Sequence, residues 1–122
     1  MNLGEHIIIE LHECDEGLID SVDFIESSLT RAVEIAGCQI INKYFHKFSP
    51  QGVTGIIAVC ESHFSIHTWP EHKYCAVDIF CCKGGLEDSI EFLIKVFKSK
   101  KAQIKKIKRG IINETNISQT QG

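Results

Sequence analysis

Glu61-Ser62-His63-Phe64-Ser65-Ile66-His67-Thr68-Trp69-Pro70-Glu71 decides how this chain is read. Phe64 and Ile66 alternate with His63, Ser65 and His67, the two-residue period of a half-buried strand. One face of such a strand goes to the core, while both imidazoles and a hydroxyl share the other. Pro70 ends the ladder because it has no N–H to donate. Apolar runs flank the segment, Gly55 to Cys60 before it and Cys75 to Cys82 after it.

Working outward, His6 to His12 reads as a first strand. Residues 16–36 read as one helix, with Leu18, Val22, Ile25, Leu29, Val33 and Ala36 forming a stripe at spacings of three and four. Asp15 suits its N-cap and Gly37 its C′ position. Residues 39–48 and 53–60 read as strands joined by Ser49-Pro50-Gln51-Gly52, whose Pro and Gly mark a turn. Tyr74 to Cys82 is a further strand, broken by Lys83-Gly84-Gly85. Leu86, Ile90, Leu93, Ile94 and Phe97 trace a second helix in 86–99, and a last strand follows over roughly 103–109. Residues 111–122 are polar and aperiodic, a frayed tail. The order β-α-β-β-β-β-α-β, with short connections, predicts a mainly antiparallel sheet carrying two helices on one face. That is an α+β fold, a two-layer sandwich in a single domain over 1–122.

The 122 residues suffice for one real core and are short for two domains. With 43% hydrophobic and 24% charged residues the composition is globular rather than disordered. A net charge of −3 gives no general pull toward nucleic acid, although its distribution is uneven. Residues 1–34 hold nine acids and one base, Arg31, while residues 95–109 hold eight bases and no acid. Such a basic stretch could meet a polyanion, but it reads as a solvated helix end and edge strand. No basic n-region follows Met1, and nothing approaches a transmembrane span, so no membrane role and a cytoplasmic location are expected. The six cysteines (14, 38, 60, 75, 81, 82) then read as reduced thiols, most of them small hydrophobes inside strands.

Two chemistries can be weighed on residue types alone. Ser62, preceded by a carboxylate and followed by His67, invites a serine hydrolase. There is no Gly-x-Ser-x-Gly elbow, however, and Ser62 falls where a strand begins. His63 and His67 share a strand face, which with Cys81 or Cys82 invites a zinc site. Four residues of strand would separate the imidazoles by about 13 Å, too far for one ion. No metal is expected.

The eleven-residue segment resembles the processing site of the short, bacterial and archaeal form of S-adenosylmethionine decarboxylase: Glu-Ser-His, a hydrophobe, a small polar residue, then Ile-His-Thr-Trp-Pro-Glu. Gly4-Glu5-His6 with Glu13-Cys14-Asp15 resembles that family's opening. Phe48 to Gly55 resembles its Phe-x-Pro-x-Gly-Val-(Ser/Thr)-Gly loop, and Ala76 to Phe80 leading to Cys82 its final active-site strand. The likeness covers about residues 4–110.

The resemblance implies a proenzyme that cuts itself between Glu61 and Ser62, giving chains 1–61 and 62–122. Ser62 would become a pyruvoyl group, the self-made electrophile that replaces pyridoxal phosphate and forms an imine with the substrate amine. His67 would transfer the proton during processing, and the Thr54 hydroxyl would stabilise the oxyoxazolidine intermediate. Cys82 would be the proton donor in turnover, a task that suits a thiol. Phe48 would stack on adenine, Phe64 and Trp69 would shape an apolar wall, and Glu71 would bind the ribose hydroxyls. For Phe64, the alternation by itself favours core packing. Cys81 stands where the family has threonine and Lys83 where it has glycine, and adjacent strand residues face opposite ways, so only one of Cys81 and Cys82 can serve. The implied activity is decarboxylation of S-adenosylmethionine for spermidine and other polyamine synthesis, by a homodimer. Two alternatives stay open: the same pyruvoyl chemistry on arginine or ornithine, and a non-catalytic regulatory relative.

Overall fold

The computed structural model of the chain describes residues 2–81 and 85–113. The elements run β1 (Asn2–His12), α1 (Glu16–Ile19), α2 (Val22–Ile35), β2 (Gln39–Lys47), β3 (Val53–Cys60), β4 (Ser62–Trp69), β5 (Tyr74–Cys81), α3 (Glu87–Val96) and β6 (Lys101–Ile111). The six strands form one sheet in the order β2-β3-β4-β5-β1-β6, and every neighbouring pair is antiparallel. The expected α+β sandwich is therefore present, with β4 and β5 near the centre of the sheet.

Strict alternation builds the core. Ile7, Ile9 and Leu11 of β1, Val53, Ile57 and Val59 of β3, Phe64 and Ile66 of β4, and Cys75, Val77 and Ile79 of β5 are all buried under the helices. Ile25, Leu29, Ala32 and Val33 of α2 meet them, with Ile90, Leu93 and Phe97 from α3 and the residue closing it. No helix among the described residues lies over the opposite sheet face, an arrangement open to antiparallel sheets. All of β6 is exposed and carries Lys101, Lys105, Lys106, Lys108 and Arg109, charges that discourage edge-to-edge pairing. Five bases of the basic stretch thus lie on an edge strand, and Lys95, Lys98 and Lys100 lie at the end of α3 and in the turn that follows it.

The expected single helix over 16–36 is two. Asp15 does cap its start, accepting from Leu18 N–H at 3.0 Å, but α1 stops after one turn at Asp20. Ser21 then caps α2 by accepting from Phe24 N–H at 3.2 Å. The break shifts the stripe, so Ile19 rather than Leu18 is buried. Gly37 takes the left-handed φ of 73° that a C′ residue needs. The last strand is longer than expected and runs through Ile111. The remainder of the expected tail, 114–122, lies outside the described residues, as do Cys82, Lys83 and Gly84.

Candidate active site

The β3–β4 hairpin places the quoted motif. Its ladder pairs Val59 with Ser62, leaving Cys60 and Glu61 as the connection, and continues to Thr54 opposite His67. That last pairing puts a hydroxyl and an imidazole side by side on the helix-free face, with Thr54 Oγ1 2.9 Å from His67 Nδ1. Both side chains are half-buried. The engaged nitrogen is Nδ1, so Nε2 is the nitrogen turned away from Thr54.

Ser62 stands apart from this pair. It has the parity of Phe64, Ile66 and Thr68, whose side chains lie buried under the helices, whereas His67 has the parity of the open face. Five residues of strand also separate the two, about 16 Å. Within one chain, then, Thr54 and His67 are brought together and Ser62 is not. Ser62 Oγ is buried and has no hydrogen-bond partner among the described residues. Two other buried hydroxyls on the helix side have partners: Thr68 Oγ1 accepts from Val53 N–H at 2.9 Å, and Ser89 Oγ donates to Ala32 O at 2.7 Å. An unsatisfied buried polar atom costs stability, so its persistence at this residue calls for a chemical reason.

Phe48, Trp69 and Glu71 are all exposed and gather at the His67 end of the hairpin. The His67 and Trp69 rings are 6.2 Å apart, and Trp69 lies 5.6 Å from Tyr74. Phe48 begins the loop into β3 and meets His46 edge-on at 4.5 Å. Glu71 sits in a single helical turn, Pro70–His72, that joins β4 to β5. Phe64 belongs elsewhere. It is 0% exposed, in the core beneath α2 and α3, so the wall role implied for it has no accessible surface to act from.

Cys81 ends β5 on the covered side, 2% exposed, with its sulfur 3.6 Å from that of Cys38. The β4–β5 ladder pairs His63 with Phe80, so one step further the position across from Ser62 is Cys81. Neither Cys14, Cys38, Cys60, Cys75 nor Cys81 is in a disulfide. Among the described residues no three His, Cys, Asp or Glu side chains gather to hold a metal ion. No helix among them is long and apolar enough to cross a membrane.

The sequence reading missed the polar network in the middle of the open face. His6 Nε2 lies 3.1 Å from Asp78 Oδ1, and Ser65 Oγ donates to Asp78 Oδ2 at 3.5 Å. Arg109 Nη1 reaches His6 Nδ1 at 3.5 Å while its guanidinium covers the Phe80 ring at 4.5 Å. Tyr74 donates to Glu10 Oε1 at 2.6 Å. Burial first, and Glu10 second, push the Tyr74 pKa up to about 12. Alternation places each of these on its strand's polar side, but only the register between strands joins them.

Relatives bear on this geometry along nearly the whole chain. The family model for S-adenosylmethionine decarboxylase matches residues 5–110. The S-adenosylmethionine decarboxylase proenzyme of Methanococcus maripaludis is 44% identical over 119 residues, 96% of this chain and 98% of that one. The proenzyme of Fervidobacterium nodosum is 41% identical over 118 residues, covering 95% and 86%. The crystal structure of the adenosylmethionine decarboxylase from Aquifex aeolicus superposes with a TM-score of 0.86 at 33% identity, over 96% of this chain and 98% of that one. The AdoMetDC monomer of Trypanosoma brucei shares the fold at 14% identity and a TM-score of 0.66, and this chain spans 44% of it.

Sandwich and central hairpin are those of a decarboxylase made as a proenzyme. The chain belongs to the S-adenosylmethionine decarboxylase family, in its short form.

Proposed function

We propose that this chain decarboxylates S-adenosylmethionine with a pyruvoyl group made from its own Ser62, after cleavage of the Glu61–Ser62 bond into residues 1–61 and 62–122. The observation that carries the reading is the buried Ser62 Oγ at the hairpin connection, without a hydrogen-bond partner among the described residues. A hydroxyl not committed to a hydrogen bond is available to attack the adjacent Glu61 carbonyl carbon. That attack exchanges the amide C–N bond for an ester C–O bond and frees the Ser62 nitrogen. The Thr54–His67 contact has one tautomer that serves both later needs. With the proton on Nδ1, His67 donates to Thr54 Oγ1, and the Thr54 O–H remains to donate to the oxyanion. His67 Nε2 then carries a lone pair that can take the Ser62 α-proton. Its loss breaks the Ser62 Cβ–Oγ bond, Glu61 leaves as a carboxylate that keeps that oxygen, and dehydroalanine remains. Tautomerisation and hydrolysis then release ammonia. The pyruvoyl group supplies an electron-accepting carbonyl for the substrate amine. Around it Phe48 offers a ring face to adenine, Trp69 an apolar wall, Glu71 an acceptor for ribose hydroxyls, and Cys82 the proton for Cα. The product would serve as aminopropyl donor for polyamine synthesis.

Because Ser62 and the Thr54–His67 pair lie apart within a chain, the reading requires two copies. A second copy laid end for end over the open face would bring its Thr54–His67 pair to the first copy's Ser62 end. That face exposes Tyr44, Ile56, Trp69 and Ile107, apolar surface that a partner sheet would cover. The test is complementation. Ser62→Ala and His67→Ala chains should each remain uncleaved alone. Expressed together, the His67→Ala chain should be cut, since its Ser62 meets the partner's intact His67. Cleavage of Ser62→Ala would refute the pyruvoyl assignment, and no cleavage in the mixture would refute completion of the site by a second copy.

A further inference from the structure

The break between α1 and α2 sends a carboxylate out of the helix layer to the loop that ends in β3. Asp20 Oδ1 accepts from Gly52 N–H at 2.9 Å and from Lys47 Nζ at 3.0 Å. Lys47 Nζ in turn donates to Phe48 O at 3.1 Å, and Phe48 N–H donates to Gly52 O at 2.8 Å. Gly52 has a φ of 104°, the left-handed region that glycine alone takes without strain, and a Cβ there would press on Thr68 O at 3.1 Å. The backbone polar groups at both ends of this loop are thus tied, and one side chain from another layer holds the Gly52 end. Gly52's N–H first, and then Lys47, hold the Asp20 carboxyl below the usual carboxylate range, as expected for an anion in use as an acceptor.

We infer that Asp20 is a positioning residue for substrate: through Gly52 and Lys47 it fixes the loop that presents the Phe48 ring. This rests on the reading of Phe48 as the adenine-facing ring. Phe48 is 46% exposed, so packing does not hold it in place and its backbone must. Cleavage at Glu61–Ser62, which uses Thr54 inside the β3 ladder, does not depend on this anchor.

The experiment measures KM and kcat for S-adenosylmethionine, the extent of cleavage and the melting temperature in Asp20→Ala, Asp20→Asn and Phe48→Ala. Asp20→Ala should cleave fully and keep kcat within about threefold while KM rises about tenfold. Asp20→Asn keeps an oxygen for Gly52 N–H but loses the charge that holds Lys47, so its KM should rise about two- to threefold. Should Asp20→Ala not fold, Asp20→Asn still decides, because a KM identical to wild type in a variant lacking the charge-assisted bonds would overturn the inference. A lower melting temperature with KM unchanged in Asp20→Ala would show a merely structural contact and also overturn it. If Phe48→Ala leaves KM unchanged, the adenine reading fails by itself. If Phe48→Ala raises KM and Asp20→Ala does not, only the positioning role fails.

Discussion

The two faces of the one sheet divide the molecule's work. Under the helices lie aliphatic side chains, Phe64 and Phe97, and the Thr68 and Ser89 hydroxyls there are hydrogen-bonded. On the other face the same strands present Thr54, Ser65, His67, Tyr74 and Asp78, half-buried and linked in polar pairs. Alternation alone produces the division, since each strand residue can serve only one face. A substitution on the covered side should therefore cost folding, and one on the open side should cost rate or association. Ser62 is the exception. It has covered-face parity, has no hydrogen-bond partner among the described residues, and stands at the sheet's rim, where the Glu61–Ser62 peptide can be reached.

The largest effect expected from testing this division is at the end of β5. Cys81 takes the covered side, across from Ser62, whereas the proton donor is assigned to Cys82, which lies outside the described residues. Cys82→Ala should be cleaved normally and lose a general acid, typically about 10²–10⁴-fold in rate. It should also inactivate more often per turnover, because a proton delivered to the pyruvoyl-derived carbon leads to transamination. Cys81→Ala should alter stability more than rate. Single-turnover CO₂ release and inactivation per turnover separate the two thiols. A catalytic defect in Cys81→Ala alone would hand the donor role to the covered face and break the division there.

A second test compares two apolar side chains on adjacent strands. Phe64→Ala removes a fully buried ring from the core and should cost about 3–5 kcal/mol by urea unfolding. Ile56 is 45% exposed on the open face, and Ile56→Ala should cost the single chain within about 0.5 kcal/mol. Sedimentation should show it weakening self-association instead. Equal losses at both positions would mean that the open face belongs to the folding core, as in an obligate dimer.

How much could be read beforehand follows from the same division. The β4 alternation gave its own two faces directly, and the stripe Ile25, Leu29, Val33 gave the helix side. Contacts that depend on register could not be read. His6 meets Asp78 across 72 residues, and Glu10 meets Tyr74 across 64, through pairings of β1 with β5 that no local period encodes. The helix break at Asp20 was hidden for a related reason. Its cause is a carboxylate committed to Gly52, 32 residues on, together with Ser21 as a cap. Motif spacing also made Ser62 and His67 look like neighbours, whereas parity and strand rise keep them apart.

The smallest effect probes the open face's electrostatics at Tyr74. Its pKa of about 12 arises chiefly from burial, with the Glu10 hydrogen bond and charge adding to it. The sign follows from which form the fold prefers. Neutral tyrosine is favoured, so the contribution to stability is fully present below the unfolded value near 10 and is lost as pH rises through about 12. Ultraviolet titration should show a phenolate step near 12 that disappears in Tyr74→Phe. Glu10→Gln removes the charge while leaving the ring half-buried, so the step should move down without reaching the unfolded value. An unmoved step would mean that Glu10 does not hold the phenol, and that the polar pairs of the open face act singly rather than as a network. A step already at the unfolded value in the wild type would mean that solvent reaches this face freely, which a second copy covering it would prevent.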